Sequence, residues 1–279
     1  MNLTNYHSHT SFCDGRAPMA DFVKEAVRQG FTSYGISSHA PLPFPTRWTM
    51  EKEDVMSYIE EFKGLKNEYQ DKIELYIGLE IDYLDELSNP SVEYFQNLPL
   101  DYRIGSVHLL NDDKGEIVDI DCSKENFRER LEKYFRNDLK ATVLAYYDRS
   151  MSMVELGGFD IVGHADKIAY NASFCQPGVT EQGWYKQALR DLFVFISEKG
   201  YMMEINTKAY HKLGIFYPNV SNFSLIKDMH IPVLVNSDSH YPELVNDGRI
   251  EALQALKSAG INTVMELVAG KWQENPIID

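Results

Sequence analysis

The sequence predicts an α/β fold in which seven main parallel strands close into a barrel, with a polar site at their C-terminal ends. Three observations predict it. Short apolar runs alternate with longer amphipathic stretches throughout the 279 residues, the pattern of repeated βα units. A histidine or carboxylate falls at the C-terminal end of each of the first seven apolar runs, and in a barrel those ends share one mouth. No repeat, low-complexity tract or Pro/Gly-rich linker interrupts the chain, so residues 1–279 are expected to form a single domain.

Strands are expected at 2–9, 32–38, 74–82, 102–109, 161–164, 202–206 and 232–237, with a short eighth at 261–266. Between them lie the helices. The segment 19–29 follows Pro18, a favoured first-turn residue, and stops at Gly30, the residue type that best tolerates a left-handed helix end. Segments 181–199 and 242–259 stop in the same way at Gly200 and Gly260. A long amphipathic pattern covers 50–69, and a shorter one 219–229. The stretch 124–156 holds two helices, or one that is broken.

Six of the eight histidines sit in short motifs at strand ends: His7-Ser8-His9, Ser38-His39, Ser106-Val107-His108, His164-Ala165-Asp166 and Asp238-Ser239-His240. Imidazole and carboxylate are the ligands of zinc, manganese and iron. Residues two apart on a strand face the same side, so His7 and His9 can grip one ion together. Glu80 lies inside the apolar run Ile77-Gly78-Leu79-Glu80-Ile81, where an unpaired carboxylate is costly and a bridging position between two cations compensates. Helix caps or hydrogen-bonded core residues would explain Asp14 or Asp238 singly, but not all these motifs together. There are more candidate ligands than one ion needs, so two or three divalent transition metal ions (Zn, Mn or Fe) are expected.

The order H-x-H-T, S-S-H-A-P, G-L-E, G-S-V-H, G-H-A-D, E-x-N and S-D-S-H, running from His7 to His240, resembles the PHP (polymerase and histidinol phosphatase) family. The resemblance implies a distorted (β/α)7 TIM-like barrel and a trinuclear metal site. By motif it assigns His7, His9, Glu80 and Asp238 to a first ion, Glu80, His108 and His164 to a second, and Asp14, His39 and His240 to a third. Asp14 stands where many family members have histidine, a variation similar to that of the histidinol-phosphatase branch. The runs G-L-E-x-D, D-Y-R-I-G-S-V-H and Glu204-Ile205-Asn206-Thr207-Lys208 resemble the same branch. The implied activity is metal-dependent hydrolysis of a phosphomonoester, with L-histidinol phosphate foremost. Another monoester (a sugar phosphate, nucleotide or phosphotyrosine) is the alternative, and a nuclease-type module a more distant one.

The catalytic candidates are Asp166, two residues beyond His164, and His39, alongside its place among the ligands. Orienting a metal-bound imidazole is an equally good role for Asp166. A phosphoryl group also calls for fixed positive charge, for which Arg16, Arg47, Lys167 and Lys208 lie in the loops after the strands. Asn206 binds substrate or braces its loop. The formal net charge of −15 argues against a nucleic-acid partner and leaves a small phosphorylated substrate. No apolar run reaches the roughly 18 residues of a membrane helix, and no leader is visible. Cys13, Cys122 and Cys175 are odd in number and widely spaced, as in a reduced compartment, so a cytoplasmic protein is expected.

Overall fold

A computed structural model describes residues 2–278. The strands β1 (Thr4–Asn5), β2 (Ser33–Ile36), β3 (Glu74–Asp82) and β4 (Tyr102–Ser106) come first. A hairpin of β5 (Leu109–Asn111) and β6 (Ile117–Asp119) follows. Then come β7 (Ile161–Val162), β8 (Met202–Asn206) and β9 (Val233–Asn236), and a second hairpin of β10 (Thr263–Val268) and β11 (Lys271–Pro276). Seven of these make one parallel sheet in the order β1-β2-β3-β4-β7-β8-β9.

The sheet curls into a nearly closed TIM-like barrel, and the seam between β9 and β1 is stitched differently from the other pairs. The Asn236 side chain accepts from Tyr6 N (2.9 Å) and the Asn5 side chain from Ser237 N (2.8 Å). Beyond the strands, His9 N donates to Ser239 O at 2.8 Å. These bonds carry the first and the last motif, 7–9 and 238–240, against each other.

The helices are α1 (Met19–Arg28), α2 (Val55–Tyr69), α3 (Glu93–Gln96), α4 (Lys124–Tyr134), α5 (Leu139–Leu156), α6 (Ile168–Cys175), α7 (Gly183–Lys199), α8 (Tyr210–Leu213), α9 (Phe223–Asp228) and α10 (Arg249–Ser258). Helix α1 buries Met19, Phe22, Val23 and Ala26, the i, i+3, i+4, i+7 stripe of a core-facing helix. The expected helical stretch 124–156 is two helices, because Arg136 and Asn137 adopt positive φ (52° and 57°) and Asp138 caps α5 by accepting from Ala141 N. Likewise 242–259 is a short 3-10 turn, Pro242–Leu244, then α10, separated by Gly248 at φ 67°. None of the described helices is long and apolar enough to cross a membrane.

The expected strands 2–9 and 161–164 shorten to Thr4–Asn5 and Ile161–Val162, and two other strand expectations change. The strand of 102–109 ends at Ser106 and the chain turns into the β5–β6 hairpin, which leaves His108 on the turn. The segment 261–266 does form a strand, but β10 pairs antiparallel with β11 instead of joining the barrel. Leu267 belongs to the cluster of Tyr6, Tyr76, Tyr102, Ile104, Ile161, Met202 and Leu234 that fills the N-terminal end of the barrel. Tyr102 reaches across it to donate to Tyr6 O at 2.6 Å. Glycine at position 35 makes room for that ring, since a Cβ there would lie 2.3 Å from the Tyr102 oxygen. One end of the barrel is therefore plugged with side chains and the other is left for polar groups.

Candidate metal centre

Glu80 is the hub of that polar end. It is 1 % exposed, on a strand that is apolar on both sides of it from Leu75 to Ile81. One carboxylate oxygen lies 3.2 Å from His7 Nε2, 3.5 Å from His9 Nε2 and 3.0 Å from His39 Nδ1. The other lies 2.9 Å from His164 Nε2 and 3.4 Å from His108 Nε2. Five rings from β1, β2, β4 and β7 thus converge on one carboxylate. Asp238 joins from β9, its Oδ1 3.0 Å from His9 Nε2 and 3.8 Å from His7 Nε2. Asp14 sits 3.2 Å from His240 Nε2 and 3.9 Å from His39 Nε2.

Burial works against each of these carboxylates, and the groups around them outweigh it. His7, His39 and His108 hold Glu80 well below the usual carboxylate range. Lys208, His7 and His9 do the same for Asp238, and His240 and His39 for Asp14. Burial, reinforced by the neighbouring His39 and His240 rings, pushes His9 well below the ordinary imidazole value, into the neutral form that donates a lone pair. His7 goes the other way: burial lowers it, but Glu204, Asp238 and Glu80 together raise it well above that value.

The arrangement fits metal ions better than it fits itself. His7 Nε2, His9 Nε2, His39 Nδ1, Asp14 Oδ1 and Glu80 Oε2 are all buried and make no hydrogen bond among the described residues, although buried polar atoms rarely go unpaired. His108 Nε2 and His164 Nε2 point at each other across 3.2 Å. Three donor sets, His9–Asp14–His39–His240, His7–His9–Glu80 and His39–Glu80–His108, each bring their ligand atoms within 4.8 Å of one another, the spacing expected around an ion held at about 2 Å. His164 and Asp238 also adopt φ 23° and 47°, a left-handed conformation that costs side-chain-bearing residues about 1–3 kcal/mol and clusters at functional sites.

The rings are held from behind. His7 Nδ1 donates to Glu204 Oε2 at 2.9 Å and His108 Nδ1 to Asp82 Oδ1 at 3.0 Å, so each Nε2 faces the cluster. Glu204 also accepts from His164 N (2.9 Å) and from the side chains of Asn206 and Asn236. Sequence reasoning missed Asp82 and gave Glu204 no role beyond its motif, yet the signal was present. Asp82 lies two residues beyond Glu80 on the same strand face, and Glu204, like Glu80, sits in an apolar run. Asp121, beyond β6, was missed as well, and no sequence pattern marks it. Its Oδ2 accepts from Lys167 Nζ at 2.9 Å and lies 3.8 Å from His108 Nε2.

The remaining candidates divide. Lys208 reaches the cluster, with Nζ 3.2 Å from Asp238 Oδ1 and 3.4 Å from His240 Nε2, and Lys167 reaches it through Asp121. Asn206 is fully buried and its amide donates to Glu204 and Asp238, which makes it a brace. The ring nitrogens of His39 lie 3.0 Å from Glu80 and 3.9 Å from Asp14, which places the ring among the candidate ligands. Asp166 turns away from the cluster: its Oδ2 accepts from Asn219 N (3.0 Å) and the Asn222 amide (3.2 Å). Arg16 and Arg47 are exposed, and among the described residues neither makes an ion pair with the cluster. A small mouth of about 170 Å³ opens over the site, lined by Asp14, His39, Trp48, His108, Asp119, Asp121 and Lys208. Trp48 folds in from 41–49, its ring edge-on to His39 and His108 at 4.8 and 5.5 Å.

Comparison with known proteins decides the family, because the PHP domain model matches residues 5–208. The chain belongs to the PHP family. The histidinol-phosphatase of Bacillus subtilis is 28% identical to this PHP chain over 259 residues, 86% of the chain and 94% of that protein. Among solved structures, the hisK chain of Listeria monocytogenes superposes with a TM-score of 0.79 at 23% identity, covering 89% of this chain and 99% of that one. The histidinol phosphate phosphatase of Lactococcus lactis, solved with zinc, L-histidinol and phosphate, gives 0.73 at 19% identity, covering 98% and 99%. At these identities the two structures establish the shared barrel.

Proposed function

We propose that this PHP chain is a metal-dependent phosphomonoesterase that hydrolyses L-histidinol phosphate to L-histidinol and phosphate, as a histidinol-phosphatase of histidine biosynthesis. The observation that carries the reading is Glu80 with its five histidines, together with a relative of that name spanning 94% of its own length. His7, His9, Glu80 and Asp238 would hold one ion, Glu80, His108 and His164 a second, and Asp14, His39 and His240 a third. Zinc, manganese and iron all suit these donors.

Phosphomonoester hydrolysis is among the slowest reactions in water. Bound divalent ions supply acidified water and positive charge for the phosphoryl oxygens. The chain's own residues do the positioning. Glu204 and Asp82 fix the tautomer of His7 and His108. Lys208 and Lys167 hold ammonium groups beside the mouth for phosphate oxygens, and Asp121 aims Lys167. Trp48 forms one side of the mouth. Asp119 and Asp121 add carboxylates to the rim, paired with Arg130 and Lys167. The net charge of −15 disfavours a nucleic-acid substrate, and the free cysteines suit the reducing cytoplasm.

The test is a phosphate-release screen of metal-replete protein across histidinol phosphate, sugar phosphates, nucleotides and phosphotyrosine. Histidinol phosphate should have the highest kcat/KM. Tenfold preference for another monoester, about 1.4 kcal/mol in transition-state binding, would overturn the substrate while leaving the metal-dependent phosphatase.

A further inference from the structure

A cavity of about 790 Å³ lies beside the metal centre and shares none of its lining residues with the mouth. It is bounded by α6, the first turns of α7 and the chain from 215 to 225. Such a volume is typical of small-molecule sites. Its walls include Tyr170, Tyr185, Phe216 and Tyr217, and Asp166 is part of its lining. Asp166 is 1 % exposed. One of its oxygens is held by Asn219 and Asn222, while Oδ1 is buried without a hydrogen-bond partner among the described residues. A buried carboxylate oxygen left unpaired costs free energy that a donor would recover.

We propose that this cavity is a second binding site, for a small organic cation carrying an aromatic or heteroaromatic ring. The cationic nitrogen donates to Asp166 Oδ1, the one unmet acceptor of that carboxylate. The ring lies among the tyrosine and phenylalanine faces, which attract cations through their quadrupoles and favour offset or edge contacts with other rings. Two cationic side chains, Lys186 and Arg190, also line the cavity, and the first is paired with Glu181 at 2.7 Å. The site is separate from the metal centre but shares a wall with it. The Tyr217 ring that lines the cavity lies 5.5 Å from Lys167 Nζ, the group paired with Asp121. The inference goes beyond the proposed hydrolysis and does not rest on it.

The experiment is calorimetric titration of the metal-replete full chain with benzylammonium chloride, with saturating inorganic phosphate present to occupy the metal centre. Benzyl alcohol serves as the uncharged control. About one equivalent of benzylammonium should bind, at least tenfold more tightly than benzyl alcohol. Asp166→Asn should weaken it tenfold or more. Tyr170→Ala, at a half-buried wall position that leaves Asp166 and its partners in place, should weaken it as well, with thermal melts confirming that the variants fold. Absence of binding at millimolar probe, equal binding of the alcohol, or affinity unchanged in folded Asp166→Asn and Tyr170→Ala would each overturn the site. None of these readouts depends on whether histidinol phosphate is hydrolysed.

Discussion

His7 Nδ1 donates to Glu204 Oε2 at 2.9 Å, and this bond turns His7 Nε2 towards Glu80, 3.2 Å away. The donor that would meet an ion is set by a residue on a different strand, 197 positions along the chain. Glu204→Gln should therefore lower metal affinity about 10- to 100-fold, the usual effect of losing a group that orients a ligand. Asp82→Asn should act similarly through His108. Competition with a chromophoric chelator measures both, and unchanged affinity would remove these carboxylates from the account.

Glu80→Gln should reduce kcat/KM for phosphate release by more than any single histidine-to-alanine change among His7, His9, His39, His108 and His164. All five rings meet this carboxylate, and a bridging group serves two ions at once. A histidine variant that loses more activity than Glu80→Gln would contradict the bridging role.

Gly15→Ala should damage the loop that carries Asp14. An added Cβ would stand 2.3 Å from His9 O and 2.5 Å from Thr10 N, and neither is a side chain that can swing away. Overpacking of this kind costs about 1–3 kcal/mol, to be read from urea denaturation. The metal content should fall at the same time, because His9 and Asp14 belong to one donor set.

Much of this was legible in the sequence, for physical reasons that also explain the gaps. The two-residue period of a strand placed His7 with His9, and the apolar setting of Glu80 marked it as a buried carboxylate. The hairpin at 109–119 was not legible. Its strands are three residues each, and β5 continues the apolar run of β4, so no change of period marks the turn. Asp121 depends on that hairpin for its position. Asp166 was misplaced for a related reason: proximity to His164 in sequence does not fix direction. At φ 23° His164 ends the alternation of faces that would have put residues 164 and 166 on one side. The seam between β9 and β1 was equally hidden, since it relies on the side chains of Asn5 and Asn236.

Asp160 offers a pH test away from the cluster. Burial raises its carboxyl above the ordinary value, against the opposing bond from Arg103 N and the Arg103 charge. A raised folded-state pKa means that the folded protein binds this proton more tightly than the unfolded chain. The stabilisation is complete below the unfolded value of about 3.9 and is lost as pH rises through the folded value. Asp160→Asn keeps an oxygen to accept from Arg103 N and removes the titration. Its Tm relative to the parent, both measured with chelator, should rise between pH 4 and pH 7. A flat or falling difference would contradict the burial effect.

The central claim is that these ligands exist to hold ions, and metal content tests it most directly. Protein purified without chelator should carry two or three equivalents of zinc, manganese or iron per chain by elemental analysis. Replacing Glu80 with Gln should remove at least one of them. Less than one equivalent of transition metal in the parent protein would contradict the account.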